Sequence, residues 1–113
     1  MSGITTHILD TARGTPARGV PITLSKLKEG QWQSIGSGKT NADGRIADLC
    51  KQQSDLSPGT YKMYFDTEQY FSISGDKVFY PYAEIVFAIE DITQHYHIPL
   101  LLCPFGYSTY RGS

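Results

Sequence analysis

Apolar and polar residues alternate along much of this chain with a period of two. Val20, Ile22 and Leu24 alternate with Pro21, Thr23 and Ser25. Tyr61, Met63 and Phe65 alternate with Lys62, Tyr64 and Asp66, and Ile85, Phe87 and Ile89 with Val86, Ala88 and Glu90. Successive side chains of a strand point to opposite faces, so each set marks one face of a sheet. Ile4 to Leu9 is a β-rich start, and His95 to Leu102 is a nearly continuous run that turns apolar toward its end. Pro99 lies inside that last run and has no N–H for a ladder, which predicts an edge position or a bulge there.

Turn signals punctuate these runs about every ten residues. They are Gly14, Pro16, Gly19 and Pro21; Gly36-Ser37-Gly38; Asn41-Ala42-Asp43-Gly44; Ser57-Pro58-Gly59; and Pro104-Phe105-Gly106. Short strands at that spacing predict an all-β sandwich or barrel. One segment departs from the pattern. Asp66-Thr67-Glu68-Gln69-Tyr70-Phe71 has a capping acid, an early Glu and a Gln three residues after the cap, which predicts one short helix ended by Gly75. No repeat or linker divides the chain, so residues 1–113 are expected to form a single domain.

Charge and composition narrow the function. Ten basic residues against eleven acidic ones give a net charge of −1, which argues against nucleic acid as the main partner. No apolar stretch is long enough to span a membrane. The start Met1-Ser2-Gly3-Ile4 does not read as a secretory signal. Two cysteines, Cys50 and Cys103, are too few for a disulfide framework and predict reduced thiols in a cytoplasmic setting. Removal of a targeting segment would leave peroxisomal or periplasmic residence open.

The candidate chemistry is sparse. The three histidines are His7, on the first strand, and His95 and His97, which share a face of the last long strand. Imidazoles in that arrangement are either ordinary surface groups or a catalytic set, and a three-histidine zinc site is a further option. Arg45 follows a tight turn in which Gly44 is expected to be left-handed, and its guanidinium could present a bidentate fork to a carbonyl-rich ligand. The alternative is a solvated arginine at a loop tip. The ending Tyr107-Ser108-Thr109-Tyr110-Arg111-Gly112-Ser113 is either a frayed terminus or a polar segment that folds back onto a pocket.

Four stretches together resemble one family. They are Thr6-His7-Ile8-Leu9-Asp10 with its continuation to Val20; Thr40-Asn41-Ala42-Asp43-Gly44-Arg45; His95-Tyr96-His97-Ile98-Pro99-Leu100-Leu101-Leu102; and the closing Tyr107 to Ser113. In this order they are similar to the 5-hydroxyisourate hydrolases, the transthyretin-like proteins, over essentially the whole chain. The terminal Tyr-Arg-Gly-Ser is the most specific element, since it separates the hydrolases from hormone-carrying transthyretins. The resemblance implies a sandwich of two four-stranded sheets with one short helix. It also implies a homotetramer, a dimer of dimers, whose central channel is lined by the last long strand and the tail.

The resemblance further implies cofactor-independent, metal-free hydrolysis of 5-hydroxyisourate to 2-oxo-4-hydroxy-4-carboxy-5-ureidoimidazoline in urate breakdown. Carried onto this chain, the catalytic residues are His7, Arg45, His97 and Ser113, and the substrate-binding ones His7, Arg45, Tyr110 and Arg111. His95 is placed behind them at most. A histidine with an ordinary pKa of ~6.5 suits base catalysis near neutrality, and His7 and His97 are both open to that role. Arg45 could stabilise developing oxyanion charge, Tyr110 could stack on or hydrogen-bond the planar ring, and Ser113 could orient the water or a histidine. Two rivals stand beside this reading. One is a non-enzymatic carrier of a small aromatic ligand in the same channel, and the other is a zinc-dependent hydrolase.

Overall fold

The computed structural model describes residues 3–46, 49–50 and 56–112. Among them are eight strands and one helix: β1 (Gly3–Asp10), β2 (Thr15–Pro16), β3 (Pro21–Lys28), β4 (Gln31–Lys39), β5 (Gly59–Phe65), α1 (Thr67–Ile73), β6 (Ala83–Ile89), β7 (His95–Cys103) and β8 (Gly106–Thr109). They form two four-stranded sheets, ordered β2-β1-β7-β8 and β4-β3-β5-β6. This is the expected sandwich. The alternating sets face inward as predicted: Ile22 and Leu24, then Tyr61, Met63 and Phe65, are essentially inaccessible, and they meet Ile4, Ile8, Ile98, Leu100 and Leu102 from the other sheet. Burying each such side chain contributes about 1.5–3 kcal/mol, which is why the period-two pattern specifies the register.

The helix also follows its signals. Asp66 caps it by accepting the Gln69 N–H at 3.1 Å, Phe71 is driven into the core, and Gly75 turns left-handed just beyond the end. A buried carboxylate ties this helix to the first sheet. Asp10 accepts the N–H groups of Ala12 and Arg13, each at 3.1 Å, and the Tyr70 hydroxyl at 2.7 Å. Burial and the Asp10 hydrogen bond push the Tyr70 phenol up to about 12. The hydroxyl therefore stays a donor and keeps the acid partnered. Cys50 and Cys103 are not bridged to each other. None of the described helices is long and apolar enough to cross a membrane.

Two expectations are corrected. Pro99 is neither on an edge strand nor at a bulge, because β7 lies between β1 and β8 and runs parallel to β1 in unbroken register from Gly3–His95 to Asp10–Leu102. The missing N–H is tolerated because regular pairing with β8 stops at Leu100–Thr109, one residue short of the proline. The Pro99 carbonyl is taken by the Thr109 hydroxyl at 2.7 Å, and pairing resumes in the same register as a single bridge between His97 and Gly112. The second correction concerns Gly36-Ser37-Gly38, which is not a turn but the middle of β4, paired with β3. Glycine is needed at 36 because a Cβ there would lie 1.7 Å from the Leu49 carbonyl oxygen. The register shift in that sheet falls at Leu24/Ser25.

Candidate active site

The outer face of the β1–β7 pair carries the polar cluster. Ile4, Thr6 and Ile8 of β1 and Tyr96, Ile98 and Leu100 of β7 turn inward, so alternation sends Thr5 and His7, and His95 and His97, to the opposite face. The ladder sets Thr5 beside His97 and Gly3 beside His95. The Thr5 hydroxyl lies 2.8 Å from His95 Nε2 and 2.8 Å from His97 Nδ1, and the two imidazoles run nearly parallel at 6.4 Å between centroids.

Two other segments are brought onto this face by their backbones. In the turn at 41–45, the Asn41 side chain accepts the N–H groups of Asp43 and Arg45 at 2.9 and 3.1 Å. Gly44 has φ of 75° as expected, and it lies so close to β1 that a Cβ would be 2.4 Å from the Ile8 carbonyl oxygen. The Ile8 N–H donates to the Gly44 carbonyl at 2.9 Å, and Arg45 bridges His7 in the manner of a sheet. Arg45 is thus held by a docked turn and is not a free loop tip. The tail docks on the other side: the Gly112 N–H donates to the His97 carbonyl at 2.8 Å. Gly112 must be small, because a Cβ would lie 2.5 Å from His97 Cδ2.

Together these elements wall an open cleft of about 650 Å³ lined by Thr5, Thr6, Asn41, Arg45, Ile46, His95, His97, Tyr110 and Gly112. His97 has its pKa lowered from the ordinary imidazole value, first by burial and then by the positive field of Arg45, His95 and His7. The result is a neutral imidazole near pH 7 beside a permanent cation. A neutral ring can take a proton, and the guanidinium can stabilise negative charge as it develops.

The expected residues fall into four groups. Arg45, His97 and Tyr110 line the cleft. His7 is half-buried, is bridged to Arg45 through the backbone and contributes to the field on His97, but it does not line this cleft. Arg111 turns aside: its guanidinium lies 4.6 Å over the Tyr96 ring, donates to Gln94 Oε1 at 2.9 Å, and helps line a second, more apolar cavity of about 240 Å³ against Ile85 and Phe87. Ser113 lies outside the described residues. His95 proves to be part of the cleft wall itself. Thr5 and Asn41 were not anticipated, whereas Gly112 belongs to the tail expected to fold back onto the site. Thr5 has the same parity on β1 as His7, which was the available signal. Among the described residues, no group of three or more His, Cys, Asp or Glu side chains is placed to hold a metal ion.

Comparison with known proteins bears on the family and the fold. A family model described as HIUase/Transthyretin family matches residues 4–112. A 5-hydroxyisourate hydrolase of Mus musculus is 50% identical, over 99% of this chain and 96% of its own length. The structure of the Klebsiella pneumoniae 5-hydroxyisourate hydrolase superposes with a TM-score of 0.86 at 41% identity and full coverage of both chains. A transthyretin from Sparus aurata superposes at 0.93 with 34% identity, over 99% of this chain and 97% of its own. The fold is thus shared by transthyretins and 5-hydroxyisourate hydrolases alike, and fold alone does not separate them.

Proposed function

The chain belongs to the HIUase/Transthyretin family, and on that premise we propose that it hydrolyses 5-hydroxyisourate, the substrate in the names of its mouse and Klebsiella relatives. One observation carries the reading: a neutral imidazole, His97, and the guanidinium of Arg45, carried on a docked turn, share a single cleft. Water attacks a ring carbonyl of the substrate while His97 takes the water's proton. Arg45 stabilises the oxyanion that forms. Collapse of that intermediate breaks the ring C–N bond, and the same proton passes to the leaving nitrogen, giving 2-oxo-4-hydroxy-4-carboxy-5-ureidoimidazoline. Oriented base catalysis is typically worth roughly 10² to 10⁴ in rate. His97 is favoured over His7 as the base because it lines the cleft. His7 then completes the substrate site beside Arg45. Tyr110 offers an aromatic face to the planar ring, Arg111 supports the tail and the substrate from the neighbouring cavity, and Ser113 orients the water. No cofactor or metal enters this scheme.

The whole chain is read as one transthyretin-like domain acting in a homotetramer, a dimer of dimers, in the cytoplasm. The open side of the cleft and the free edges β6 and β8 support assembly. The close superposition on a transthyretin favours, as a second reading, a carrier of a small aromatic ligand. The cleft speaks against it, because simple binding needs no neutral imidazole set against a guanidinium.

The decay of freshly generated 5-hydroxyisourate, followed by absorbance, tests the assignment with wild type, His7→Ala and His97→Ala at equal concentration. Wild type should accelerate the decay, and both variants should approach the spontaneous rate while staying assembled. A wild type without effect would end the hydrolase reading and send the protein to channel-ligand titration. Loss of turnover on chelation would instead restore the zinc rival.

A further inference from the structure

We propose that Thr5 is a positioning residue of this site, whose single hydroxyl bridges the two β7 imidazoles and holds His97 with its proton on Nδ1 and its lone pair on Nε2. The inference rests on the hydrolase reading only for its consequence in turnover; the geometry stands by itself.

A threonine hydroxyl has one proton and accepts through its lone pairs. Thr5 Oγ1 contacts one ring nitrogen of each histidine, His95 Nε2 and His97 Nδ1, both at 2.8 Å. It can donate to only one of them, so the other must donate to it. The two rings therefore cannot choose tautomers independently. If Thr5 donates to His95 Nε2, His97 donates from Nδ1 and keeps a bare Nε2. In the reverse arrangement His97 carries its proton on Nε2 and has no base to offer on that side.

Two observations favour the first arrangement. His97 Nε2 has no hydrogen-bond partner among the described residues, and Cδ2, the atom bonded to it, lies against Gly112 of the cleft wall. The charged groups around the ring are the Arg45 guanidinium on the docked turn, His7 on β1 and His95 on β7, and each opposes added positive charge on His97. Tyr110 is the titratable group on the tail side of the cleft. A lone pair is better accommodated than an N–H by a cleft that holds a fixed cation. In either arrangement, eight consecutive ladder positions between β1 and β7 fix the Thr5 backbone relative to both histidines. Which nitrogen of a histidine acts is set by the hydrogen bond that the other one makes.

The test is nitrogen-15 spectroscopy of the histidine rings in the assembled protein, at a pH well above the ordinary imidazole value of ~6.5. It is run on wild type, Thr5→Val and Thr5→Ser, with kcat and KM measured alongside. Wild type should show His97 protonated on Nδ1. Thr5→Val should lose that tautomer and lower kcat roughly tenfold to a hundredfold, part of what a positioned base supplies. Thr5→Ser should retain both. A wild-type His97 protonated on Nε2 overturns the proposal, as does a Thr5→Val protein with an unchanged ring spectrum or unchanged kcat. Should Thr5→Val fail to fold, the wild-type and Thr5→Ser spectra decide alone. A wild type with the expected tautomer that leaves 5-hydroxyisourate decay unchanged would count against the hydrolase reading and not against the role of Thr5.

Discussion

Gly112 shows how little space the cleft leaves around His97. A methyl group there would lie 2.5 Å from His97 Cδ2, and the ring would have to move to admit it. Gly112→Ala should therefore lower kcat at least tenfold and cost on the order of 1–3 kcal/mol of unfolding free energy, the usual cost of an overpacked contact. Steady-state kinetics beside a denaturant titration separate the two; an active variant would show that the ring is not confined. The lowered pKa of His97 gives a second expectation with a definite sign. At pH 7 the ring is neutral, so log kcat/KM should be flat there and fall with unit slope only below a pKa lower than the ordinary ~6.5. Arg45→Met removes one of the groups that lower it, so the acid limb should move up in pH while the rate falls roughly 10²- to 10³-fold. Because burial is the larger cause, the limb should not return fully to the ordinary value. The same shift bears on stability: the unfolded chain binds the proton more readily, so His97 subtracts stability as pH drops through the ordinary value and has no effect above it. Histidine and arginine were legible at this scale because their chemistry is carried by residue type. The role of Thr5 was not, since it depends on a hydroxyl meeting rings some 90 positions away.

The tail is the element on which the site most depends and the fold least. Regular pairing of β7 with β8 ends at Thr109, and beyond it Gly112 holds β7 by one N–H donated to His97. Deleting Tyr110 to Ser113 removes that bond, worth about 1 kcal/mol, together with the Arg111 contacts to Gln94 and the Tyr96 ring, and leaves the described core intact. Turnover should vanish while far-ultraviolet circular dichroism and assembly size stay unchanged; a truncated protein with full activity would take the tail out of the mechanism. Elements with local signals were readable in the sequence, among them the Asp66-capped helix and the alternating strands β3, β5 and β6. Those defined by distant partners were not. Nothing near Pro99 announces that β1 will pair with β7 in parallel and bury that strand, and nothing near Gly36 announces the Leu49 carbonyl pressed against it.

At the scale of the molecule, one side joins an edge of each sheet to exposed aromatic groups. Strands β6 and β8 are each one edge of a sheet, with β4 and β2 at the opposite edges, and both border the cavity lined by Phe87, Thr109 and Arg111. Free edges invite pairing with another chain. Large apolar groups gather there as well. Phe79 is 67% exposed, its N–H donates to the Pro104 carbonyl beside the β7–β8 turn, and Phe105 in that turn is 68% exposed. An aromatic rim beside two open edges fits a subunit contact, and a charge placed in it would be desolvated without a partner. Phe79→Glu should therefore shift the protein toward smaller species in sedimentation. It lies outside the catalytic cleft, so any loss of turnover would come from the lost assembly and should track the fraction dissociated as concentration is lowered. A folded monomer with wild-type activity per chain would mean that each cleft works alone, and that the open side of the cleft needs no second subunit to close it.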